Sequence, residues 1–230
     1  MAKPLSKNFF TISLLFISML FGASPLKADR KADNWYQVEL LIFRQASNYE
    51  TAFELPYVKT YPAGIIELLP PLLNETVDNK IALAYQLLPA NISSLKEETQ
   101  KLDPAGYSII VANSWQQPIA SSSHADLIHI VGGELLVTPL SYESPDSLQQ
   151  AWEIDGTLKI SSNYYMDVNL DLSFNVPKST TYYSNNLGYL TTYLKESRRI
   201  RLGELNYFDH PQFGLLLRVS RITHSDSAGD

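Results

Sequence analysis

Residues 168–176 read VNLDLSFNV, so every even position is apolar and every odd position is polar. Because successive side chains of a β-strand point to opposite faces, this period of two predicts a strand that is buried on one face only. Residues 154–161 alternate in the same way, and both segments are predicted to be strands of an antiparallel sheet. Asp171, on the polar face, is predicted to tolerate replacement by serine. The apolar row predicted to be buried is Leu158, Ile160, Leu170, Leu172 and Phe174.

Two earlier segments, residues 38–43 and 107–112, are apolar at both odd and even positions. Strands have this composition when helices cover their second face. A covering helix is predicted to begin at Ser94 and Glu97, which form a capping box, and to end before residues 103–106, DPAG. The predicted fold class is therefore α+β, a mainly antiparallel β-sheet with a few covering helices in the amino-terminal half.

The amino terminus has the pattern of a secretory signal peptide. Lys3 and Lys7 precede an uncharged apolar run at residues 9–21. A helix of this length rises only ~20 Å, which is too short for a hydrocarbon core of ~30 Å. Cleavage is predicted after Ala28, so residues 1–28 form the signal and the mature protein works outside the cytoplasm. The alternative is a buried amino-terminal helix.

The mature chain is predicted to be one domain over residues 29–222, with no transmembrane segment after cleavage. Its two halves, 29–138 and 152–222, are joined by a connection with two prolines. Residues 223–230 carry nothing to bury and are predicted to be disordered.

Composition excludes several classes of protein. The chain has no cysteine, which rules out disulfides, thiolate zinc sites and a thiol nucleophile. It has 18 Lys and Arg against 24 Asp and Glu, and its predicted signal removes three lysines and no acid. A net negative chain lacks the basic face that nucleic acid requires. Its 14 tyrosines, together with Ser, Asn and Gln, suit contacts to sugars and peptides.

Motifs for catalysis are absent from the sequence. The four histidines show no metal-ligand spacing, and His129, on an apolar strand, is predicted to be isolated from any acidic neighbour. There is no G-x-S-x-G motif and no phosphate loop. The chain is predicted to be no enzyme and to need no cofactor. The alternative is a cell-wall glycan or peptide hydrolase with a pair of carboxylates that leaves no sequence motif.

The densest polar segment is residues 196–214, for which two interpretations stay open. In the first, it is a β-hairpin in which residues 209–211 make the turn, Gly214 permits the exit and the arginines pair with nearby acids. In the second, Arg199 and Arg201 lie on one face of a strand and present guanidinium groups to a carboxylate ligand.

Four blocks resemble the CsiV proteins, a family named for cell shape integrity. They are WYQVELLIFR at 35–44, GY at 106–107 with WQQP at 115–118, GTLKI at 156–160, and the run from 197 to 214. The blocks occur in order and span nearly all of the mature chain. The resemblance implies a non-enzymatic periplasmic protein that binds peptidoglycan and supports cell-wall synthesis and cell shape. It also implies association with an outer-membrane lipoprotein that activates a class A penicillin-binding protein.

The resemblance assigns no binding residue, so the candidate ligand site is chosen from the polar carboxy-terminal block and one tryptophan. The candidates are Arg198, Arg199, Arg201, Glu204, Tyr207, Asp209, His210 and Trp115. Where the family usually has Arg, Arg and His, this chain has Gln116, Asn163 and Asn206. These departures predict a less basic site.

Overall fold

A computed structural model describes seven ranges of the chain: 35–45, 59–71, 83–89, 95–102, 104–139, 148–177 and 188–222. The predicted signal peptide, the capping residue Ser94 and the carboxy-terminal tail lie outside these ranges. The predicted cleavage site and domain boundaries therefore stay predictions.

Within the described ranges the chain is almost entirely β-structure. The strands are β1 (Trp35–Arg44), β2 (Ile66–Glu67), β3 (Ser108–Pro118), β4 (Leu127–Pro139), β5 (Leu148–Ser162), β6 (Met166–Pro177), β7 (Tyr189–Ile200), β8 (Asn206–Asp209) and β9 (Phe213–Arg221), with one helix, α1 (Lys96–Leu102). They form a four-stranded sheet in the order β3-β1-β9-β8 and a five-stranded sheet in the order β2-β4-β5-β6-β7. Pairing is antiparallel throughout, except that β2 lies parallel to β4.

The two sheets face each other across one hydrophobic core, to which both contribute. The rings of Phe174, on β6, and Phe213, on β9, meet across it with centroids 5.4 Å apart. Each sheet takes strands from both predicted halves of the chain, and the connection between them is the end of the β4–β5 hairpin, where Pro139 pairs with Leu148. The halves therefore have no separate cores.

The period-two prediction for β5 and β6 is confirmed. Leu158 pairs with Leu170 and Ile160 with Val168, and all four are buried. The polar row is less uniform than predicted, because Ser173 and Asn175 are each only 4% exposed. Both side chains face outward, and both lie in the lining of the groove described below.

The prediction of several covering helices is wrong. A helix does follow the predicted capping box, but α1 has seven residues, none of them buried, and it is the only helix among the described residues. The second face of β1 is covered by side chains instead. Phe43 packs edge-on against Tyr107, and Glu39, 2% exposed, faces Arg218 at 3.9 Å. Aromatic rings and ion pairs thus supply cover that the apolar pattern attributed to several helices, and α1 contributes Glu98, which lies 3.1 Å from Arg218.

Candidate functional site

The carboxy-terminal hairpin is confirmed. β8 and β9 pair, His210 and Phe213 close the turn through two backbone hydrogen bonds, and the inward row of β9 is buried. The role predicted for Gly214 is wrong. A Cβ at this position would lie 2.4 Å from Cζ of Phe43 and 2.9 Å from Cε2 of Tyr207, so glycine is needed for space and not for a turn.

Three of the predicted site residues meet at this turn, together with one residue that was not predicted. The amide nitrogen of Gln45 lies 3.0 Å from the Tyr207 hydroxyl, 2.8 Å from Asp209 Oδ1 and 3.0 Å from the His210 carbonyl. The Tyr207 hydroxyl donates to Asp209 at 2.5 Å. We call Gln45, Tyr207, Asp209 and His210 the hairpin cluster.

Burial and internal hydrogen bonds both shift pKa values in the hairpin cluster. Burial and the bond to Asp209 raise the pKa of Tyr207 to about 12. The bonds from Tyr207 and Gln45 lower the pKa of Asp209. Burial lowers the pKa of His210, whose Nε2 lies 3.0 Å from the Thr192 hydroxyl. The polar atoms of this cluster chiefly satisfy one another, as expected for a braced turn.

Arg198 joins the two sheets where β7 approaches β8. Its guanidinium donates to the Tyr207 carbonyl, and its Cζ lies 3.7 Å from the centroid of the Phe208 ring. Glu196 lies 3.4 Å away. Stacking and a charge-assisted hydrogen bond together hold this side chain in place.

Arg199 and Arg201 do not share a strand face, because β7 ends at Ile200. Arg199 lies over the Tyr165 ring, with its Nε 3.9 Å from Asp167. Arg201 lies in the following turn, 3.6 Å from Glu204, which was also a predicted site residue. Both arginine side chains are more than half exposed, so each pair contributes less than about 1 kcal/mol.

Trp115 is placed far from the surface. Its side chain is 0% exposed, and the indole donates to Gln117 Oε1 at 2.7 Å. The three departures from the family pattern lie on separate elements: Gln116 on β3, Asn163 in the β5–β6 turn and Asn206 at the start of β8.

The prediction that His129 is isolated from acidic groups is wrong. Its Nδ1 lies 2.7 Å from Glu67 and its Nε2 2.8 Å from Asp155. Parallel pairing of β2 with β4 places Glu67 directly beside His129, and β5 brings Asp155 from its other side. Tyr61 completes this histidine cluster, because its hydroxyl donates to Asp155 at 2.5 Å and its ring centroid lies 4.4 Å from that of the imidazole.

Both ring nitrogens of His129 face carboxylate oxygens, and only the charged imidazolium can donate from both. The bond to Asp155 raises the pKa of His129, and Glu67 adds to this against the effect of burial. Burial raises the pKa of Asp155, but the hydrogen bonds from His129 and Tyr61 outweigh it and leave that pKa lowered.

We expect the histidine cluster to make stability depend on pH. Since the folded-state pKa of His129 is raised, its contribution is fully present below about pH 6.5, the unfolded value, and is lost as pH rises through the folded value. The free energy of unfolding should therefore fall as pH rises from about 6.5 through the raised folded-state pKa of His129. Denaturant titrations across this window should show a shallower fall for His129→Gln than for the parent.

His124 provides the matched control, because its Nδ1 contacts only the hydroxyls of Ser121 and Ser123 among the described residues. His124→Gln should keep the pH slope of the parent. Equal slopes for the parent and His129→Gln would show that the two carboxylates do not stabilise the imidazolium.

Beside the histidine cluster, the outer face of β5, β6 and β7 carries a polar groove of about 230 Å³. Neither the groove nor its contacts were predicted. Its lining consists of Lys59, Gln149, Gln150, Ala151, Asp155, Ser173, Asn175, Tyr189, Thr191 and Tyr193. The period-two row Tyr189, Thr191 and Tyr193 is visible in the sequence and was the one signal that could have indicated this face.

The Lys59 side chain lies over β5 and β6 and forms one wall of the groove. Its ammonium lies 3.3 Å from the carbonyls of Asp155 and Asp171 and 3.4 Å from Asp171 Oδ1. Burial lowers the pKa of Lys59, although the Asp171 carboxylate opposes this effect. Lys59 and Lys195 both pair with Asp171. These contacts do not support the prediction that Asp171 tolerates replacement by serine.

Within the described ranges, no three His, Asp or Glu side chains are arranged to hold a metal ion. No helix in those ranges is both long enough and apolar enough to cross a bilayer.

Two packed sheets, with a polar groove on one outer face, define a β-sandwich. The chain belongs to the CsiV family: a family model described as "Peptidoglycan-binding protein, CsiV" matches residues 9–222, nearly the whole chain. No curated protein and no solved structure matches the chain. The resemblance in the sequence blocks is thereby confirmed.

Proposed function

We propose that this protein binds peptidoglycan in the periplasm without catalysing a reaction. Support for binding comes from membership of a peptidoglycan-binding family, combined with a groove whose lining is mostly hydroxyl, amide and tyrosine side chains. Such groups can form hydrogen bonds and aromatic contacts with a polymer of amino sugars and short peptides.

Sedimentation with purified sacculi tests the proposal. We expect the protein to pellet with sacculi and to release no soluble muropeptides. Arg199→Ala/Arg201→Ala should pellet as the parent does and melt at nearly the same temperature, because both arginines are exposed and lie away from the groove lining. Protein that stays in the supernatant would refute binding, and released muropeptides would establish the hydrolase alternative.

We also propose that the protein is an adaptor in cell-wall synthesis and cell shape, with the outer-membrane lipoprotein activator of a class A penicillin-binding protein as its partner. An exposed apolar patch on the β4–β5 hairpin supports a protein contact, because large apolar side chains on one sheet face mark interaction surfaces. Register places its members on that face: Leu135 44%, Val137 46%, Leu148 57% and Trp152 39% exposed.

Binding of the purified lipoprotein tests the adaptor role. Leu148→Ser/Trp152→Ser should weaken capture of the lipoprotein and leave sedimentation with sacculi unchanged. Undiminished capture by this variant would show that the patch is not the contact surface.

A further inference from the structure

We propose that the groove on the outer face of β5, β6 and β7 binds the glycan strand of peptidoglycan, through its uncharged N-acetylated sugars, and not the charged stem peptides. This inference rests on the proposed peptidoglycan binding and adds the site and the part of the polymer that it recognises.

The two charged side chains of the groove already have partners within the protein. The groove lining contains one cation, Lys59, and one anion, Asp155. Lys59 contacts Asp171 and two backbone carbonyls, and its side chain is only 11% exposed. Asp155 accepts hydrogen bonds from His129 and Tyr61. A stem-peptide carboxylate would have to compete with Asp171 for Lys59, whereas a neutral sugar would not.

The hydrogen bonds of the groove floor orient an amide that can also bind a ligand. Thr191 donates to Asn175 Oδ1 at 2.7 Å, and Asn175 Nδ2 donates to the Trp152 carbonyl at 2.7 Å. These bonds fix which side of the amide is donor and which is acceptor. Since an amide has two N–H donors and an oxygen that accepts two bonds, each side keeps capacity for a ligand. An acetamido group matches this pattern, because it too has one donor and one acceptor.

Two tyrosine rings in the groove lining suit contact with a sugar. Tyr189 and Tyr193 are two of the ten lining residues, and Gln149 donates to the Tyr189 hydroxyl at 3.1 Å, which holds that ring in position. A ring with an apolar face and a polar edge suits a sugar, whose C–H face is apolar and whose rim is hydroxyl.

The volume of the groove limits what it can hold. The groove volume of about 230 Å³ is below the roughly 300–1,000 Å³ of sites that enclose a whole small ligand. A site of this size can hold a short part of a longer chain, such as one sugar within a strand.

The test compares two probes with the purified protein: the uncharged hexamer of β-1,4-linked N-acetylglucosamine, and the stem tripeptide L-Ala-γ-D-Glu-diaminopimelate. Calorimetric titration should detect the hexamer and not the tripeptide. Tyr189→Ala should weaken hexamer binding by about tenfold, the typical loss for truncating an aromatic side chain at the centre of a contact. Tyr189→Phe, which keeps the ring but loses the hydrogen bond from Gln149, should weaken hexamer binding less than Tyr189→Ala does.

Tyr164 is the matched control, because it is 97% exposed in the turn at the opposite end of β5 from Gln149. Tyr164→Ala should bind the hexamer normally. Binding of the tripeptide without the hexamer, or hexamer binding that Tyr189→Ala leaves intact, would overturn the glycan inference. Sedimentation with intact sacculi, measured in parallel, keeps this apart from the proposed function, which fails only if the sacculi themselves are not bound.

Discussion

Replacement of Trp115 by alanine should lower the free energy of unfolding by about 3–5 kcal/mol, the usual cost of emptying a large buried aromatic site. Trp115, on the outermost strand β3 of the four-stranded sheet, is 0% exposed and pairs with Val38 of β1. The substitution also removes the hydrogen bond to Gln117, which is 1% exposed and would keep an unpaired amide oxygen in the core. Denaturant unfolding measures the loss.

The effect should be on stability alone. At a temperature where Trp115→Ala remains folded, it should sediment with sacculi as the parent does, because the side chain has no exposed surface. Trp152→Ala is the matched control, since this tryptophan is 39% exposed and its replacement should cost about 1 kcal/mol or less. Weak binding by folded Trp115→Ala would show that Trp115 does reach the ligand.

Replacement of Leu172 by aspartate should unfold the protein or remove most of its stability. Leu172 is 0% exposed, in the middle of β6, and a carboxylate there would lose its hydration among the apolar side chains of the core. We expect a loss of more than about 4 kcal/mol, against a total of about 5–15 kcal/mol for a typical domain. Circular dichroism during urea unfolding would show the shift.

Asn169→Asp introduces the same charge on the same strand but on the outward face, where Asn169 pairs with Lys159 and Ser197. It should be nearly neutral. Asp171→Ser is a poorer control, because Asp171 holds Lys59 and Lys195. Similar losses from Leu172→Asp and Asn169→Asp would refute the assignment of the core face.

The carboxy-terminal block shows where prediction from sequence reached its limit. The hairpin followed from local turn chemistry, since the DHP turn and the apolar alternation after it involve neighbours along the chain. The roles of the arginines did not, because they depend on where β7 ends and on what lies across from it. Arg198 stacks on Phe208 of the opposite sheet, while Arg199 lies over Tyr165 in the β5–β6 turn.

The sequence by itself determined the strands at residues 38–43, 107–112, 154–161 and 168–176, the inward row of β5 and β6, the carboxy-terminal hairpin and the family. These depend on spacings of one or two residues and on blocks in a fixed order, so they can be recognised without a fold. Tertiary structure alone decided the partners of His129, which are 62 and 26 residues away in the chain, the burial of Trp115 and the position of Lys59 over β5 and β6. The physical reason is that a polar outer face becomes a groove only when a distant segment crosses it, and no local period records such a crossing.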